Sequence, residues 1–257
     1  MSQDQKIVRI AGIRQACGEC SLFELCLPVT LDTEDVALLD DIVQRRRPLS
    51  RGDRLYRNGD AFASIYVVRS GALKTLTVTE EGDEQVTGFH LPGEIVGLDA
   101  ISRGAHPCEA VALETTSVCE IPFTELEGLA ARIPGLQHQL LRIMSKEIFE
   151  EQSMLQAVAK RTAEERLAIV LLSLSSRFGQ RGLSSVCFHL PMSRSDLSNY
   201  LGLAPETMSR LFKRFQSMDL LKCEAKEVTL LDMDALYQMS LGGGNAGSAY
   251  SGRGGRL

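Results

Sequence analysis

The sequence predicts an α+β protein in which a β-rich first half is followed by a long helix and a helical C-terminal region. Three patterns support this prediction. Glycine-centred turns recur through the first half, apolar residues follow a heptad spacing over residues 136–160, and a helix-turn-helix pattern occupies residues 194–215. Short strands between regular turns indicate a β-sandwich or barrel, and a heptad seam indicates paired helices.

Composition is that of an ordinary globular protein, with 257 residues of which 44% are hydrophobic and 24% charged. No apolar run reaches the ~18 residues of a membrane span, and the start "MSQDQKIVRIAGIRQ" lacks the apolar core of a signal peptide. We therefore expect a cytoplasmic protein. The net charge is −5, but residues 160–226 hold eleven Lys and Arg against six Asp and Glu, a local balance that suits an anionic partner.

The first predicted unit, residues 1–30, is rich in cysteine. The stretch "ACGECSLFELCLP" places Cys17, Cys20 and Cys26 within ten residues. Cytosolic thiols stay reduced, so clustered cysteines there more often bind metal or perform redox chemistry than form disulfides. This segment is therefore a candidate metal or redox site.

The second predicted unit spans residues 31–135. A helix is expected over 32–43, and β-prone runs such as "SIYVV" and "LKTLTV" follow between turn signals. Those signals are centred on Gly52, Gly59, Gly71, Gly82 and Gly93. Their spacing predicts a β-sandwich or barrel.

The third predicted unit is a helix over residues 136–160. Its seam positions alternate in steps of three and four: Leu141, Met144, Ile148, Glu151, Leu155 and Val158. That spacing is typical of two helices that pack together, and we interpret it as a dimerisation seam. Packing inside one chain is the alternative.

The fourth predicted unit, residues 161–238, consists of helices and a short hairpin, and a Gly- and Ser-rich tail over 239–257 is expected to be disordered. Within this unit, Gly202-Leu203 forms a tight turn and Pro205 suits the first position of a second helix. On that helix Met208, Leu211, Phe212 and Phe215 share one face. The pattern predicts a helix-turn-helix whose second helix reads DNA.

The opposite face of the second helix carries the predicted DNA contacts: Glu206, Ser209, Arg210, Lys213 and Arg214. Arg210 can donate two hydrogen bonds to guanine, and Glu206 can accept one from cytosine. Lys213 and Arg214 suit phosphates, which position a protein without reading sequence. A solvated face with a Glu206–Arg210 pair is the alternative.

The chain resembles the FNR branch of the FNR/CRP superfamily of bacterial transcription regulators. The resemblance is carried by "CGECSLFELCLP", "EEGDEQVTGFHLPGEIVGLDA", "ALETTSVCEIPF", "TAEERLA" and "NYLGLAPETMSRLFKRFQ". It implies an N-terminal β-roll of the cyclic-nucleotide-binding type (a jelly roll), a long dimerisation helix and a C-terminal winged helix-turn-helix.

The resemblance also implies that the cysteines bind an oxygen-labile [4Fe–4S] cluster. The matching spacing is C-x2-C-x5-C, and the distant ligand in the "VCEIPF" block is Cys119, which gives the four thiolates that such a cluster needs. Zinc also accepts four thiolates, although its structural sites usually show paired C-x2-4-C elements. Cys108 is the alternative fourth ligand, and Cys187 and Cys223 are interpreted as small core or surface residues.

A cyclic nucleotide is not expected as the effector. Cyclic AMP receptors resemble the chain around "PGEIVG", but they carry an Arg-Ser pair further on that holds the phosphate. This chain has Pro107-Cys108 there, which supplies no positive charge.

Glu151 interrupts the apolar seam, at a position where the related regulators also carry an acid. In a symmetric dimer it would lie near its own copy. Two carboxylates ~5 Å apart repel by roughly 3 kcal/mol at an effective dielectric constant of ~20. We hypothesise that this repulsion sets the dimer near its midpoint, and that the cluster decides association.

The predicted function is therefore an oxygen-responsive transcription regulator and not an enzyme. The resemblance implies that a cluster-loaded homodimer binds a palindrome like TTGAT-N4-ATCAA and contacts RNA polymerase through the β-roll. The alternative function is a DNA-binding regulator whose cysteines form a zinc or thiol redox site.

Overall fold

The computed structural model of the chain describes residues 16–79 and 81–242. Its helices are α1 (Thr33–Ile42), α2 (Phe123–Ala130), α3 (Pro134–Lys160), α4 (Ala163–Gln180), α5 (Arg194–Tyr200), α6 (Pro205–Ser217) and α7 (Met233–Ser240). Its strands are β1 (Gln44–Arg45), β2 (Arg54–Tyr56), β3 (Ser64–Ser70), β4 (Leu73–Val78), β5 (Glu84–His90), β6 (Ile95–Val96), β7 (Glu109–Ala112), β8 (Ser117–Pro122), β9 (Cys187–His189), β10 (Leu221–Glu224) and β11 (Glu227–Leu230).

The first half of the chain folds as a β-roll, as its turn spacing predicts. Two antiparallel four-stranded sheets, in the orders β1-β8-β3-β6 and β2-β7-β4-β5, contain strands β1 to β8. Side chains such as Tyr66, Val68 and Leu73 fill the space between the sheets. The predicted α+β fold class is confirmed.

The glycines at the predicted turns all adopt positive φ angles, which other residues rarely adopt. Gly71, at the β3–β4 turn, is the most restricted of them. Its φ is +78°, and a Cβ atom there would lie 2.4 Å from the carbonyl oxygen of Thr115. Only glycine fits that turn without a shift of the backbone.

Helices α1, α2 and the start of α3 cover the outer face of the β1-β8-β3-β6 sheet. Leu39 of α1, Leu126 of α2 and Leu136 of α3 are buried there together with Leu27 and Ile121. Leu27 belongs to a 3₁₀ turn, Leu27–Thr30, that follows the three N-terminal cysteines. The cysteine-rich segment therefore packs against the sheet and against the first turns of α3.

Helix α3 is the longest element, and it begins two residues before the predicted start. Pro134 lies in its first turn, where the missing N–H of proline costs nothing. No helix within residues 16–79 and 81–242 is both long enough and apolar enough to cross a membrane.

The C-terminal part consists of α4 to α7 and a three-stranded sheet in the order β10-β11-β9. Helices α5 and α6 form the predicted helix-turn-helix. Gly202 in the turn has a φ of +62°, and Pro205 occupies the first turn of α6. The predicted inner face is confirmed, since it is buried at Met208, Leu211, Phe212 and Phe215.

Two elements of this part were not predicted. Strand β9 adds a third strand to the hairpin, and α7 extends to Ser240, so it includes the first two residues of the expected tail. Asp232 caps α7 by accepting a hydrogen bond from the backbone N–H of Ala235, at 2.8 Å. The remaining tail residues, 243–257, and residues 1–15 lie outside the described residues.

An ion-pair network joins the β-roll to helix α4. Glu94, in the β5–β6 turn, pairs with Arg177 and Arg181, and the distance to the Arg181 Nη2 atom is 2.6 Å. The two arginines also donate to the carbonyl oxygens of Phe89 and Pro92. Burial opposes ionisation of Glu94, but the two guanidinium groups outweigh it and lower the pKa of Glu94 to about 2.

We expect Glu94→Gln to destabilise the chain by about 3 kcal/mol, because it leaves two largely buried guanidinium groups without their counter-charge. The stabilisation from Glu94 is present above its usual pKa of 4.5 and is lost as the pH falls towards about 2. The difference in unfolding free energy between wild type and variant should therefore shrink over that range. Urea unfolding between pH 7 and pH 3 measures it.

The matched control is Glu114→Gln, which neutralises an exposed carboxylate in the β7–β8 turn. Its unfolding free energy should stay close to that of the wild type. A Glu94→Gln protein as stable as the control at pH 7 would contradict the role of this network.

Candidate functional site

The four predicted cluster ligands line one pocket. Cys17, Cys20 and Cys26 lie on consecutive 3₁₀ turns before α1, and Cys119 lies on β8 of the sheet beneath them. Apolar side chains form most of the remaining wall, and they include Leu22, Phe23, Leu27, Val67 and Ile121. The fold thus brings together thiols that are about a hundred positions apart in the sequence.

The backbone of this segment is anchored to α1. The N–H of Cys17 donates to Oδ1 of Asp40 at 3.0 Å, and Asp40 also pairs with Arg45 at 3.3 Å. Asp40 was not predicted from the sequence, because nothing local distinguishes it from the neighbouring acid Asp41. This hydrogen bond fixes the position of Cys17, the first cysteine of the segment, relative to α1.

The pocket disfavours free thiolates. Burial raises the pKa of Cys26 to about 12, and burial followed by the contact with Asp40 raises that of Cys17 to about 12. Burial also raises the pKa of Cys119, although Arg45 and Arg69 oppose the rise. The thiols raise one another's pKa values as well, so they lie close enough to interact as charges.

The four thiols all belong to the wall of this pocket. Among the described residues, no group of three or more His, Cys, Asp or Glu side chains is arranged to hold a metal ion. A single zinc ion needs its sulfur ligands at ≈ 2.3 Å. Four thiolates are also the ligand set of an iron–sulfur cluster.

Cys108, the alternative fourth ligand, lies elsewhere. It is buried between the two sheets of the β-roll, and its Sγ atom donates to Oδ2 of Asp99 at 3.3 Å. Close by, the ring of His106 stacks on Tyr56 with 3.7 Å between centroids. Cys108 does not line the pocket of the other four thiols.

The cysteine segment contacts the long helix directly. The Nε2 atom of Gln139 on α3 donates to the carbonyl oxygen of Cys26, at 3.4 Å, and Thr30 Oγ1 donates to the carbonyl oxygen of Gly135, at 3.2 Å. Gln139 is buried, and its Oε1 atom has no hydrogen-bond partner. The spacing of Gln139 from Leu136 places it on the buried stripe of α3, but nothing in the local sequence indicates that its partner is Cys26.

The seam of α3 is largely exposed in the chain. Leu141 is 58% exposed, Ile148 54% and Leu155 70%, while Met144 and Glu151 are also exposed and Val158 is half-buried. Phe149, next to Ile148, is 70% exposed and was not part of the predicted seam. An apolar stripe of this length on one helix indicates an interaction surface.

The predicted reading face of α6 is exposed at all five positions. Two of these side chains make contacts within the chain. Arg214 pairs with Glu164 of α4 at 2.7 Å, and the hydroxyl of Ser209 donates to the carbonyl oxygen of Pro205 at 3.1 Å. The others in this set are Glu206, Arg210 and Lys213.

Comparisons with known proteins agree with this architecture. A family profile described as cyclic nucleotide-binding domain matches residues 46–133, and one described as Crp-like helix-turn-helix domain matches residues 165–239. The transcriptional activator FnrA of Stutzerimonas stutzeri is 52% identical over 236 residues, which are 91% of this chain and 97% of that protein. The transcriptional activator Anr of Pseudomonas aeruginosa is 51% identical, with the same coverage.

The fumarate and nitrate reduction regulatory protein of Escherichia coli K12 is 46% identical over 93% of this chain and 97% of its own length. The chain belongs to the FNR/Anr branch of the CRP/FNR family. Among solved structures, FixK2 of Bradyrhizobium japonicum superposes with a TM-score of 0.71 at 26% identity, covering 81% of this chain and all of that one.

Membership of the CRP/FNR family confirms three sequence predictions. The chain is a DNA-binding transcription regulator, it carries the fold of that family, and it is not an enzyme. The ligand residues, the DNA contacts, the dimer seam and the boundaries of the units stay predictions.

Proposed function

We propose that the chain is an oxygen-responsive regulator of anaerobic gene expression, located in the cytoplasm. It binds a [4Fe–4S] cluster through Cys17, Cys20, Cys26 and Cys119, and the loaded chain dimerises through α3 to bind DNA. The observation that carries the proposal is the single pocket shared by these four thiols, which also contacts α3 through Gln139. The relative from Escherichia coli is named for fumarate and nitrate reduction, which are anaerobic processes.

The donor set fits a cluster of this kind. Four thiolates hold a [4Fe–4S] cluster, which supplies an oxygen-sensitive centre when it is bound. The apolar wall of the pocket limits access of water, and Arg45 and Arg69 stabilise a thiolate at Cys119. Since burial raises the pKa of Cys17 and Cys26, binding displaces protons from these thiols and fixes the segment on the sheet.

Cys119→Ser should abolish cluster binding, because one of the four thiolates is removed. Iron and sulfide content, measured on protein purified without oxygen, should fall from about four of each per chain to near zero. Cys108→Ser is the matched control, since it changes a thiol of the same β-roll outside the pocket. Loss of iron in Cys108→Ser, or full iron content in Cys119→Ser, would contradict the ligand set.

The alternative is a zinc or thiol redox site at the same cysteines. Structural zinc sites usually show paired C-x2-4-C elements, and the sequence holds one such pair, Cys17 and Cys20, which favours a cluster. One zinc per chain, with no iron and no visible absorption, is the result that would favour the alternative.

Coupling between the pocket and α3 explains how cluster loading would control association. The carbonyl of Cys26 and the side chain of Thr30 both contact the first turns of α3. A change in the cysteine segment thus alters its contacts with α3, the helix that carries the exposed seam. Glu151, exposed on that seam, would oppose association in the cluster-free state.

Gln139→Leu should uncouple dimerisation from loading, because it removes the hydrogen bond between α3 and Cys26. With a full cluster, its dimer dissociation constant should rise about tenfold, a change of ~1.4 kcal/mol. Sedimentation velocity without oxygen measures this. Gln137→Leu, an exposed neighbour on the same helix, is the control, and equal dimerisation by both loaded variants would argue against the coupling.

DNA reading is assigned to α6 as the second helix of the helix-turn-helix. Glu206, Ser209 and Arg210 face outward at positions suited to base edges, and Lys213 and Arg214 suit phosphates. A dimer presents two such helices to a palindrome such as TTGAT-N4-ATCAA. RNA polymerase is the proposed partner of the DNA-bound β-roll.

Arg210→Ala should weaken DNA binding by about 1–3 kcal/mol and relax the preference at the guanine of the half-site. Fluorescence anisotropy with the palindrome and with variants at that guanine measures both effects. The comparison variant is Lys213→Ala, which should weaken binding to all DNA sequences equally and lower the salt dependence of that binding. Uniform loss in Arg210→Ala would show that Arg210 contacts only phosphate.

A cyclic nucleotide is not proposed as the effector, although the family profile carries that name. At Cys108, where the cyclic AMP receptors hold the phosphate, the Sγ atom donates to the carboxylate of Asp99. A carboxylate beside a thiol repels a phosphate instead of binding it.

A further inference from the structure

Strand β5 is an edge strand of the sheet β2-β7-β4-β5, and one side chain of the helix-turn-helix covers its open edge. Oδ1 of Asn199 accepts the backbone N–H of Val86 at 2.5 Å, and Nδ2 of Asn199 donates to the carbonyl oxygen of Glu84 at 2.6 Å. The amide therefore pairs with β5 as the backbone of a neighbouring strand would. Gln85 donates in return to the carbonyl oxygen of Asn199 at 2.8 Å.

A largely buried ion pair lies beside this contact. Nζ of Lys74 on β4 is 2.6 Å from Oδ1 of Asp196 on α5, and each side chain is only 16% exposed. Asp196 is held in place by Ser193, because the two form a capping box at the start of α5. Because the capping box already orders the Asp196 carboxylate, forming the ion pair with Lys74 costs less side-chain entropy.

These contacts determine where the recognition helix lies relative to the β-roll. Helix α6 packs on α5 through Leu197, Met208 and Leu211, so a constraint on α5 is a constraint on α6. The outer face of α6 stays exposed while the contacts are made. The arrangement is therefore compatible with DNA reading and does not block it.

We propose that Asn199 and Lys74 are positioning residues for DNA reading, which hold the helix-turn-helix on the β-roll of its own subunit. We call this pair of contacts the interdomain clasp. The proposal rests on the proposed reading of a palindrome by a dimer. Two recognition helices must lie about 34 Å apart to read both half-sites. The clasp sets that separation in the dimer before it binds DNA.

The energetic consequence concerns the full palindrome alone. Without the clasp, the Glu94 network still joins α4 to the β-roll, but α5 and α6 are less ordered, and completing that order when the second half-site is engaged opposes binding. Contacts within one half-site do not change, because α6 itself is intact. Loss of the clasp should therefore weaken palindrome binding and spare half-site binding.

The test uses full-length, cluster-loaded Lys74→Met and Asn199→Ala proteins. Lys74→Met alters only the β-roll side of the clasp, so it leaves the fold of the helix-turn-helix unchanged. Arg57→Met removes a positive charge from an exposed turn of the β-roll and controls for net charge. Affinity for the palindrome should fall about tenfold in both clasp variants, with half-site affinity and dimerisation unchanged.

A second measurement does not depend on DNA. Hydrogen exchange at the Val86 amide should accelerate about fivefold in Lys74→Met as well as in Asn199→Ala, since opening of the clasp exposes that N–H. Unchanged exchange and palindrome affinity in Lys74→Met would overturn the proposal, and so would tighter DNA binding or equal loss at half-sites. A wild type without palindrome preference would contradict the dimeric reading, whereas the exchange result would still decide the clasp.

Discussion

Burial of four thiol groups around one pocket is the constraint on which the rest of the account depends. Burial raises the pKa of Cys17 and Cys26, so the pocket disfavours unbound thiolates at these positions and suits thiolates that share a metal cluster. Cys119 belongs to β8, which pairs with both β1 and β3, so the pocket is built on a central strand of the β-roll. In the proposed mechanism, a change in the occupancy of the pocket therefore affects this sheet and the helices that cover it.

Polar contacts connect the pocket and the β-roll to the two surfaces proposed for association and for DNA reading. Gln139 links Cys26 to the helix that carries the exposed apolar seam. At the opposite sheet, Asn199 and the Glu94 network attach the helix-turn-helix to the β-roll. Short polar contacts therefore link the cysteine pocket to α3 and link the β-roll to the helix-turn-helix, across an otherwise apolar core.

Local patterns predicted most of the fold, and they selected the cysteines that the fold brings to one pocket. Gly71 and its counterparts predicted the turns because their φ angles exclude other residues, and the buried face of α6 followed from its helical spacing. Helix α7 was missed since it is short and buries only Leu236. The contacts of Gln139 and Asn199 depend on pairs more than a hundred residues apart, which no local spacing contains.

The central claim is that loading of this pocket controls association of the chain. The most direct measurement is sedimentation velocity of the wild type purified without oxygen, with iron and sulfide content and the visible spectrum recorded before and after exposure to air. The account predicts a dimer with about four irons per chain that becomes a monomer as the iron is lost. A dimer that is unchanged by air, or a colourless protein with one zinc, would contradict it.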